Sequence, residues 1–280
     1  MQPDDEVGAA PTPVSSVYTI DRSEFPWWLV AMLVIIGLMV VLVITSDDYQ
    51  EAFRAILPWP VVWNRGLALT LILTGGSFVV SIFLGLFIGL GRISKNSFLR
   101  NTASTYIELV RGIPMLVFIF AIALVIIPEF SDLLDLKPRA ISQALKGSMA
   151  LSLFYAAFIA EVFRAGIQSV DEGQVEAGKA MGLSKRQNMR RIILPQAVRN
   201  MLPALGNDLI SLMKDTSLVS VLAARELTQM ARQYTGSTFR FREGFFILMV
   251  MYIILTLLLS LALRWYEKRI AIPGRVGSSG

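Results

Sequence analysis

Three runs of charged or polar residues sit inside apolar sequence, and these side chains have the most chemistry to offer. Glu108 and Arg111 lie three apart at the entry to one apolar run. Glu161 and Arg164 lie three apart at the end of another, and Lys214-Asp215-Thr216-Ser217 interrupts a third. A Glu and an Arg at i, i+3 pair on one helix face, which softens the cost of carrying charge near a bilayer. Lys214 and Asp215 are adjacent, so they leave a helix in different directions and need separate partners or water. Such groups recognise charge. Covalent and metal chemistry have little to work with, because the 280 residues include no Cys and no His. That removes a disulfide framework, a thiolate nucleophile and a Cys/His metal site. No Ser-Lys or paired-carboxylate arrangement stands out. The chain also carries no Gly-x4-Gly-Lys-Ser/Thr phosphate loop, so ATP binding in the P-loop manner would have to come from another chain.

The elements that must position these groups are long and apolar. A hydrophobic content of 54% and a mean hydropathy of +0.59 place the chain in the membrane class. Six spans are expected: Trp27 to Thr45, Gly66 to Gly91, a third opening with Glu108 to Val117, Ala144 to Phe163, about Leu202 to Leu222, and Gly244 to Leu263. The fifth is the least apolar, holding Asn207, Asp208, Lys214, Asp215, Thr216 and Ser217, and is stable only inside a bundle. Ser81, Gly85 and Gly89 recur every fourth residue and give the second span a smooth packing face. Residues 1–26, acidic and Pro-bearing, read as a mobile tail without the basic region of a cleaved signal peptide. Residues 46–64 read as an external interfacial segment and 128–142 as an external loop of mixed charge, while 271–280 read as a flexible tail. Seven basic residues from Arg164 to Arg199 orient that region inward and put both termini in the cytoplasm, although Arg225, Arg232, Arg240 and Arg242 then fall on the outside. The net charge of +5 is accounted for by inward Lys and Arg and calls for no nucleic acid.

One polar block does not belong in a bilayer: Glu176-Ala177-Gly178-Lys179-Ala180-Met181-Gly182-Leu183-Ser184-Lys185, continuing through Arg190 to Pro195. Ala177, Gly178 and Ala180 let a partner approach closely, and Gly182 allows a sharp turn. Ser184 with Gln187 forms a capping box for a second short helix, and Pro195 breaks the pattern after Leu194. The spacing Glu-Ala-Gly, three residues, Gly182, nine residues, Ile192-x-Leu194-Pro195 resembles the cytoplasmic loop of bacterial ABC importer permeases, Glu-Ala-Ala-x3-Gly-x9-Ile-x-Leu-Pro. Gly178 departs from it by replacing Ala. Three more segments resemble the polar amino-acid branch of that family: Glu108-Leu109-Val110-Arg111-Gly112-Ile113-Pro114-Met115, Ala160-Glu161-Val162-Phe163-Arg164-Ala165-Gly166, and Lys214-Asp215-Thr216-Ser217-Leu218-Val219-Ser220. Ile113 stands where Thr is usual, and Ala165 where Gly is.

The resemblance implies an all-α, polytopic helical bundle of the type I ABC importer kind, with cytoplasmic coupling helices in a bacterial inner membrane. It implies a permease domain over 65–270 with its coupling loop at 166–197, preceded by an extra first helix and external segment at 27–64. It implies coupling to an ATPase dimer through Glu176, Ala177, Gly178, Gly182, Leu183 and Pro195. A second permease, identical or homologous, and an external binding protein complete the assembly. No cofactor belongs to this chain; ATP and Mg are used by the ATPase. For the substrate path the expected residues are Met115, Phe158, Glu161, Asp215 and Thr216, with Glu161 either gripping an ammonium group or pairing with Arg164. Phe158 supplies no second carboxylate, which disfavours an exclusively basic amino acid. A permease for another small solute, or an ion-coupled secondary transporter, are the alternatives.

Overall fold

The structure is a computed structural model that describes residues 27–56, 62–133 and 141–270. Expectations for the tails 1–26 and 271–280, for Pro58, Trp59 and Pro60, and for Asp135, Lys137, Pro138 and Arg139 lie outside these residues. The chain forms two compact units, one ending at Leu42 and one beginning at Val43. The first contains most of α1 (Trp27–Thr45), whose Leu33, Val34, Ile35 and Leu38 are exposed, as suits a helix solvated by lipid.

The second unit is all helical among the described residues. Its elements are α2 (Asp47–Ile56), α3 (Ala68–Arg92), α4 (Ser97–Arg111), α5 (Met115–Phe120), α6 (Ile127–Leu133), α7 (Gln143–Gln168), α8 (Glu172–Ala180), α9 (Lys185–Asn188), α10 (Leu194–Asp215), α11 (Leu227–Thr238) and α12 (Phe241–Ile270). Single π turns join α5 to α6 and α9 to α10, and a 3-10 stretch, Thr216–Leu222, follows α10. Among the described residues, four stretches are long and apolar enough to cross a membrane: Arg65–Arg92, Met115–Leu133, Gln143–Gln168 and Phe241–Glu267. The first apolar helix taken with its continuation to Arg54 makes a possible fifth. The polar expected span from Leu202 to Leu222 is not among them; it lies mostly within the longer α10.

The centre of the unit is the pairing of α3 with α7. Ser77, Ser81, Gly85 and Gly89 are all buried along one face of α3. Ser81 donates to the Ser77 carbonyl at 2.7 Å and lies within hydrogen-bonding distance of the Ser152 carbonyl at 3.0 Å, while the Ser77 and Ser148 hydroxyls are 2.9 Å apart. One turn further a Cβ on Gly85 would stand 2.7 Å from Ile159, and one on Gly89 2.8 Å from the Ala160 carbonyl oxygen. The backbones therefore touch where the side chains stop at hydrogen, as the four-residue repeat predicts. Around this seam a core forms from Ile107, Phe118, Ile119, Phe154, Tyr155 and Leu212.

Several local expectations are corrected. The third span opens at Met115, not at Glu108: α4 ends at Arg111, and Gly112 to Pro114 separate it from α5, because Pro114 has no N–H to continue the ladder. Glu108 and Arg111 do not pair. Arg92 at the end of α3 reaches Glu108 at 3.6 Å, and the Arg111 guanidinium lies 5.6 Å over the Phe158 ring. Pro195 does not stop a helix. It sits in the first turn of α10, after a π turn that spares the backbone bond a proline cannot make, so the chain is helical without interruption from Lys185 to Leu222. The segment after the first apolar helix does fold as an amphipathic helix, α2, which buries Ala52 with Leu227, Met230, Ile247 and Leu248.

Leucine at Gly85 or Gly89 is expected to separate α3 from α7, costing more than the roughly 1–3 kcal/mol of ordinary overpacking because backbone is one of the colliding partners. Gly75→Ala, whose new Cβ meets nothing within 4 Å, is the control and is expected to be neutral or stabilising by up to about 1 kcal/mol. Unfolding temperatures in detergent read both; a Gly89→Leu chain as stable as the parent would refute the seam.

Candidate functional site

The polar block folds as two short helices set at a sharp corner. Asp171 caps α8 by accepting from the Gln174 N–H at 3.2 Å. Ser184 and Gln187 form the reciprocal capping box that starts α9, with bonds of 3.3 and 2.9 Å. Between them Gly182 takes φ +80°, a left-handed conformation that a side chain would strain. Gly178 serves a different purpose from the one its small size suggests. It faces inward, buried, and a Cβ there would lie 2.6 Å from Ile192 and 2.8 Å from the Asn188 side-chain oxygen, while the Asn188 amide donates to the Val175 carbonyl at 2.7 Å. Gly178 thus lets α8 close onto α9 and the π turn. The outward surface is Glu176, Ala177, Lys179, Ala180 and Met181, the last 73% exposed; Leu183 is half-buried and Pro195 exposed. A cleft of about 500 Å³ runs beside α8, lined by Ile167, Gln168, Val170, Glu172, Val175, Glu176 and Lys179.

Glu161 stands at the end of α7 in an ion cluster. Arg164 donates to it at 2.8 and 2.9 Å, and Arg92 pairs with its other oxygen. Arg92 also reaches Glu108, so one guanidinium ties the ends of α3, α4 and α7. The i, i+3 pairing with Arg164 forms as the sequence allows. Arg92, a residue that reads as an ordinary loop-flanking charge, was the member sequence reasoning missed; nothing in the spacing links it to Glu161, 69 positions on. Beside this cluster opens a cleft of about 570 Å³ whose lining includes Arg111, Glu161, Arg164, Ser169, Asn200 and Met201.

The other expected path residues gather elsewhere. Asp215, the last residue of α10, accepts from the Tyr155 hydroxyl at 2.7 Å, and Thr216 is fully buried with its hydroxyl on the Met213 carbonyl at 2.7 Å. Tyr155 lies 6.2 Å from the Phe158 ring, and Met115 and Phe158 flank the same core. The structure therefore brings Phe158 and Asp215 to Tyr155, with Met115 packed against the same core. Glu161 lies six residues along α7, about 9 Å of helix rise, and belongs to the ion cluster. Tyr155 was also missed, because a tyrosine in an apolar helix reads as core until its hydroxyl is seen to meet a carboxylate.

A bundle of apolar helices with an exposed helical corner and charge confined to the ends of the spans is a membrane permease in form. Residues 81–272 match the family described as "binding-protein-dependent transport system inner membrane component", and the chain belongs to that family. A probable amino-acid permease protein, YxeN of Bacillus subtilis, is 36% identical over 214 residues, covering 75% of this chain and 92% of that protein. The glutamine transport system permease protein GlnP of Escherichia coli is 33% identical over 220 residues, covering 76% and 98%. Among solved structures, an amino acid ABC transporter with histidines superposes with a TM-score of 0.70 at 34% identity, covering 80% of this chain and 99% of that one. The MetNI methionine ABC transporter shares the fold, with a TM-score of 0.63 at 23% identity over 76% of this chain and 99% of that one. The type I importer permease fold is thereby established.

Removing Arg92 leaves Glu161 with one partner and frees Glu108. Arg92→Ala is expected to lower stability by about 1.5–3 kcal/mol, the range for hydrogen bonds to charged groups. Arg92→Lys should recover part of it, since an ammonium keeps the charge but not the planar fork. Thermal unfolding of the purified variants checks the order; equal stability of Ala and Lys variants would rule out an ionic tie.

Proposed function

We propose that this chain is the membrane-spanning permease subunit of an ATP-driven amino-acid importer, coupled to a cytoplasmic ATPase through the Glu176–Pro195 loop. The observation that carries this reading is the α8–Gly182–α9 corner. It has the sequence pattern of an importer coupling loop, a tight internal seam at Gly178, and an outward face on which Ala177, Ala180 and Met181 lie among the charges of Glu176 and Lys179. The amino-acid class is supported by relatives named as amino-acid and glutamine permeases, which resemble this chain over three quarters of its length.

In this reading the chain hydrolyses nothing. ATP and Mg are handled by a dimer of ATPase subunits, a second permease completes the path, and an external binding protein delivers the solute. The permease domain is 65–270; with the polar α10 as one crossing and the extra first helix of the 27–64 segment as another, six crossings of a bacterial inner membrane put both termini in the cytoplasm. ATP closes the ATPase pair, the corner moves with it, and the bundle exchanges one packing for another. The corner shifts that balance only by the difference in contact energy it makes in the two states.

The path runs past Met115, Phe158, Asp215 and Thr216, with Glu161 at its inner end. A free amino acid presents an ammonium and a carboxylate. Asp215, held by the Tyr155 hydroxyl, and the backbone freed at Pro114 offer complementary groups within one region of the bundle.

Affinity purification of the tagged chain in mild detergent is expected to bring down an ATPase. Glu176→Lys, which reverses charge on the outward face, and Gly182→Val, which cannot hold φ +80° without strain, should each weaken recovery by roughly tenfold, about 1.4 kcal/mol, while the bundle stays folded. Undiminished co-purification and uptake in both variants would sink the coupling assignment.

A further inference from the structure

The helix α11 is held between two backbone joints that L-residues seldom adopt. Ala223, where the 3-10 stretch ends, and Phe239, just after α11, both have φ +59°, and they are the non-glycine residues with positive φ among those described. Residues kept in the left-handed region without glycine cluster at moving or functional segments. Between the joints α11 closes on α12 through Leu227, Met230 and Tyr234 against Ile247 and Leu248. Its other face is in solvent, with Arg232 and Gln233 exposed. This end of the bundle is remote from the α8–α9 corner, since α10 alone spans 22 residues, about 33 Å.

At the first joint lies Glu226, 0% exposed. Its Oε1 accepts from the Gln229 N–H at 2.7 Å, and its Oε2 accepts from the Thr228 N–H at 2.9 Å and the Tyr252 hydroxyl at 3.1 Å. The next N–H, of Leu227, donates to Thr70 on α3 at 3.2 Å, so three helices meet at this cap. The other side-chain caps of the described helices, Asn96, Ser142, Asp171 and Ser184, are all exposed to water. Glu226 alone caps a helix from inside. Tyr252 is the titratable group that touches it; Tyr234 of α11 lies in the apolar cluster with the adjacent Leu227, and Arg225, next in sequence, and Arg65, next to the Gly66 that packs on Leu227, are exposed. Among the described residues it makes no ion pair.

We propose that Glu226 is the positioning residue of a gate formed by α11: its buried carboxyl clamps the helix to Tyr252 of α12, and the joints at Ala223 and Phe239 let the helix turn as a unit. Opening brings the carboxyl into water. Burial pushes the Glu226 carboxyl up to about 7, with the bonds from Thr228, Gln229 and Tyr252 pulling the other way. The closed arrangement therefore holds a proton that the open one releases. Its advantage is complete below the ordinary Glu range and is lost as pH rises through about 7.

The gate rests on the importer reading, but its test needs no solute, so the two fail separately. With no Cys in the chain, cysteines introduced at the exposed Gln233 on α11 and Met249 on α12 can carry a pair of spin labels. Their separation is measured in the purified complex in nanodiscs from pH 5 to pH 8. A second distance population is expected to grow with pH around a midpoint near 7, changing by up to roughly tenfold per pH unit for one proton. Glu226→Gln should leave one distribution across the range. Tyr252→Phe, which removes a bond favouring the ionised carboxylate, should move the midpoint upward and serves if the Gln variant does not fold. A parent distribution identical at both ends of the range, a pH response that survives Glu226→Gln, or an unmoved midpoint in Tyr252→Phe would overturn the proposal.

Discussion

The structure depends on how closely α3 and α7 can approach. In lipid there is no hydrophobic force to drive one apolar helix onto another, so association rests on contact and on the few hydrogen bonds available across the seam. Ser77, Ser81, Gly85 and Gly89 supply both, with serines bonding to the facing backbone at one end and glycines admitting Ile159 and Ala160 at the other. Everything else in the bundle takes its place from that pair: α10 packs on α7 through Gly166 and Met201, Gly147 receives Val219 of the 3-10 stretch, and Arg92 ties the end of the seam to α4.

The division of charge follows from the same constraint. Burying isolated ions is costly, and two solutions are seen: Arg92, Glu161 and Arg164 gather in mutual pairs, while Asp215 accepts from a hydroxyl and Glu226 from a hydroxyl and backbone N–H groups. The first solution gives stiffness, because a guanidinium shared between two carboxylates fixes three chain segments. The second gives Glu226, outside the long apolar helices, a carboxyl whose charge state responds to its surroundings. Both occur here, in different regions.

How much of this was legible in the sequence differs by feature. The four-residue repeat of small residues announced the seam, because spacing along one helix is written directly in the chain. The Ser184–Gln187 box and the turn at Gly182 were equally legible, being local. Long-range partnerships were not: Glu108 finds Arg92 rather than Arg111, and Asp215 finds Tyr155, 60 residues away, since an i, i+3 pattern names only the nearest candidate. Pro195 misled for a related reason. Proline forbids one hydrogen bond, and a π turn just before it removes the need for that bond, a compensation no single residue type records. The smallness of Gly178 was legible, whereas the residues it admits, Ile192 and Asn188, were not. For the candidate path, Met115 and Asp215 were named through their motifs and Phe158 through its place one turn before Glu161; Tyr155, which meets Phe158 and Asp215, carried no signal of its own.

The uninterrupted run of helix from the α8–α9 corner has a mechanical meaning. From Lys185 to Asp215 it measures about 46 Å, counting 31 residues at the α-helical rise. Pivoted at one end, such an arm turned by about 5° carries its far end through about 4 Å, close to one helical turn, without any change in its own bonds. The π turn and Pro203 are the places where it can flex. Its far end lies at Asp215 and the buried Thr216, so under the proposed coupling an angular nudge at a surface corner would become a displacement of polar groups deep in the bundle.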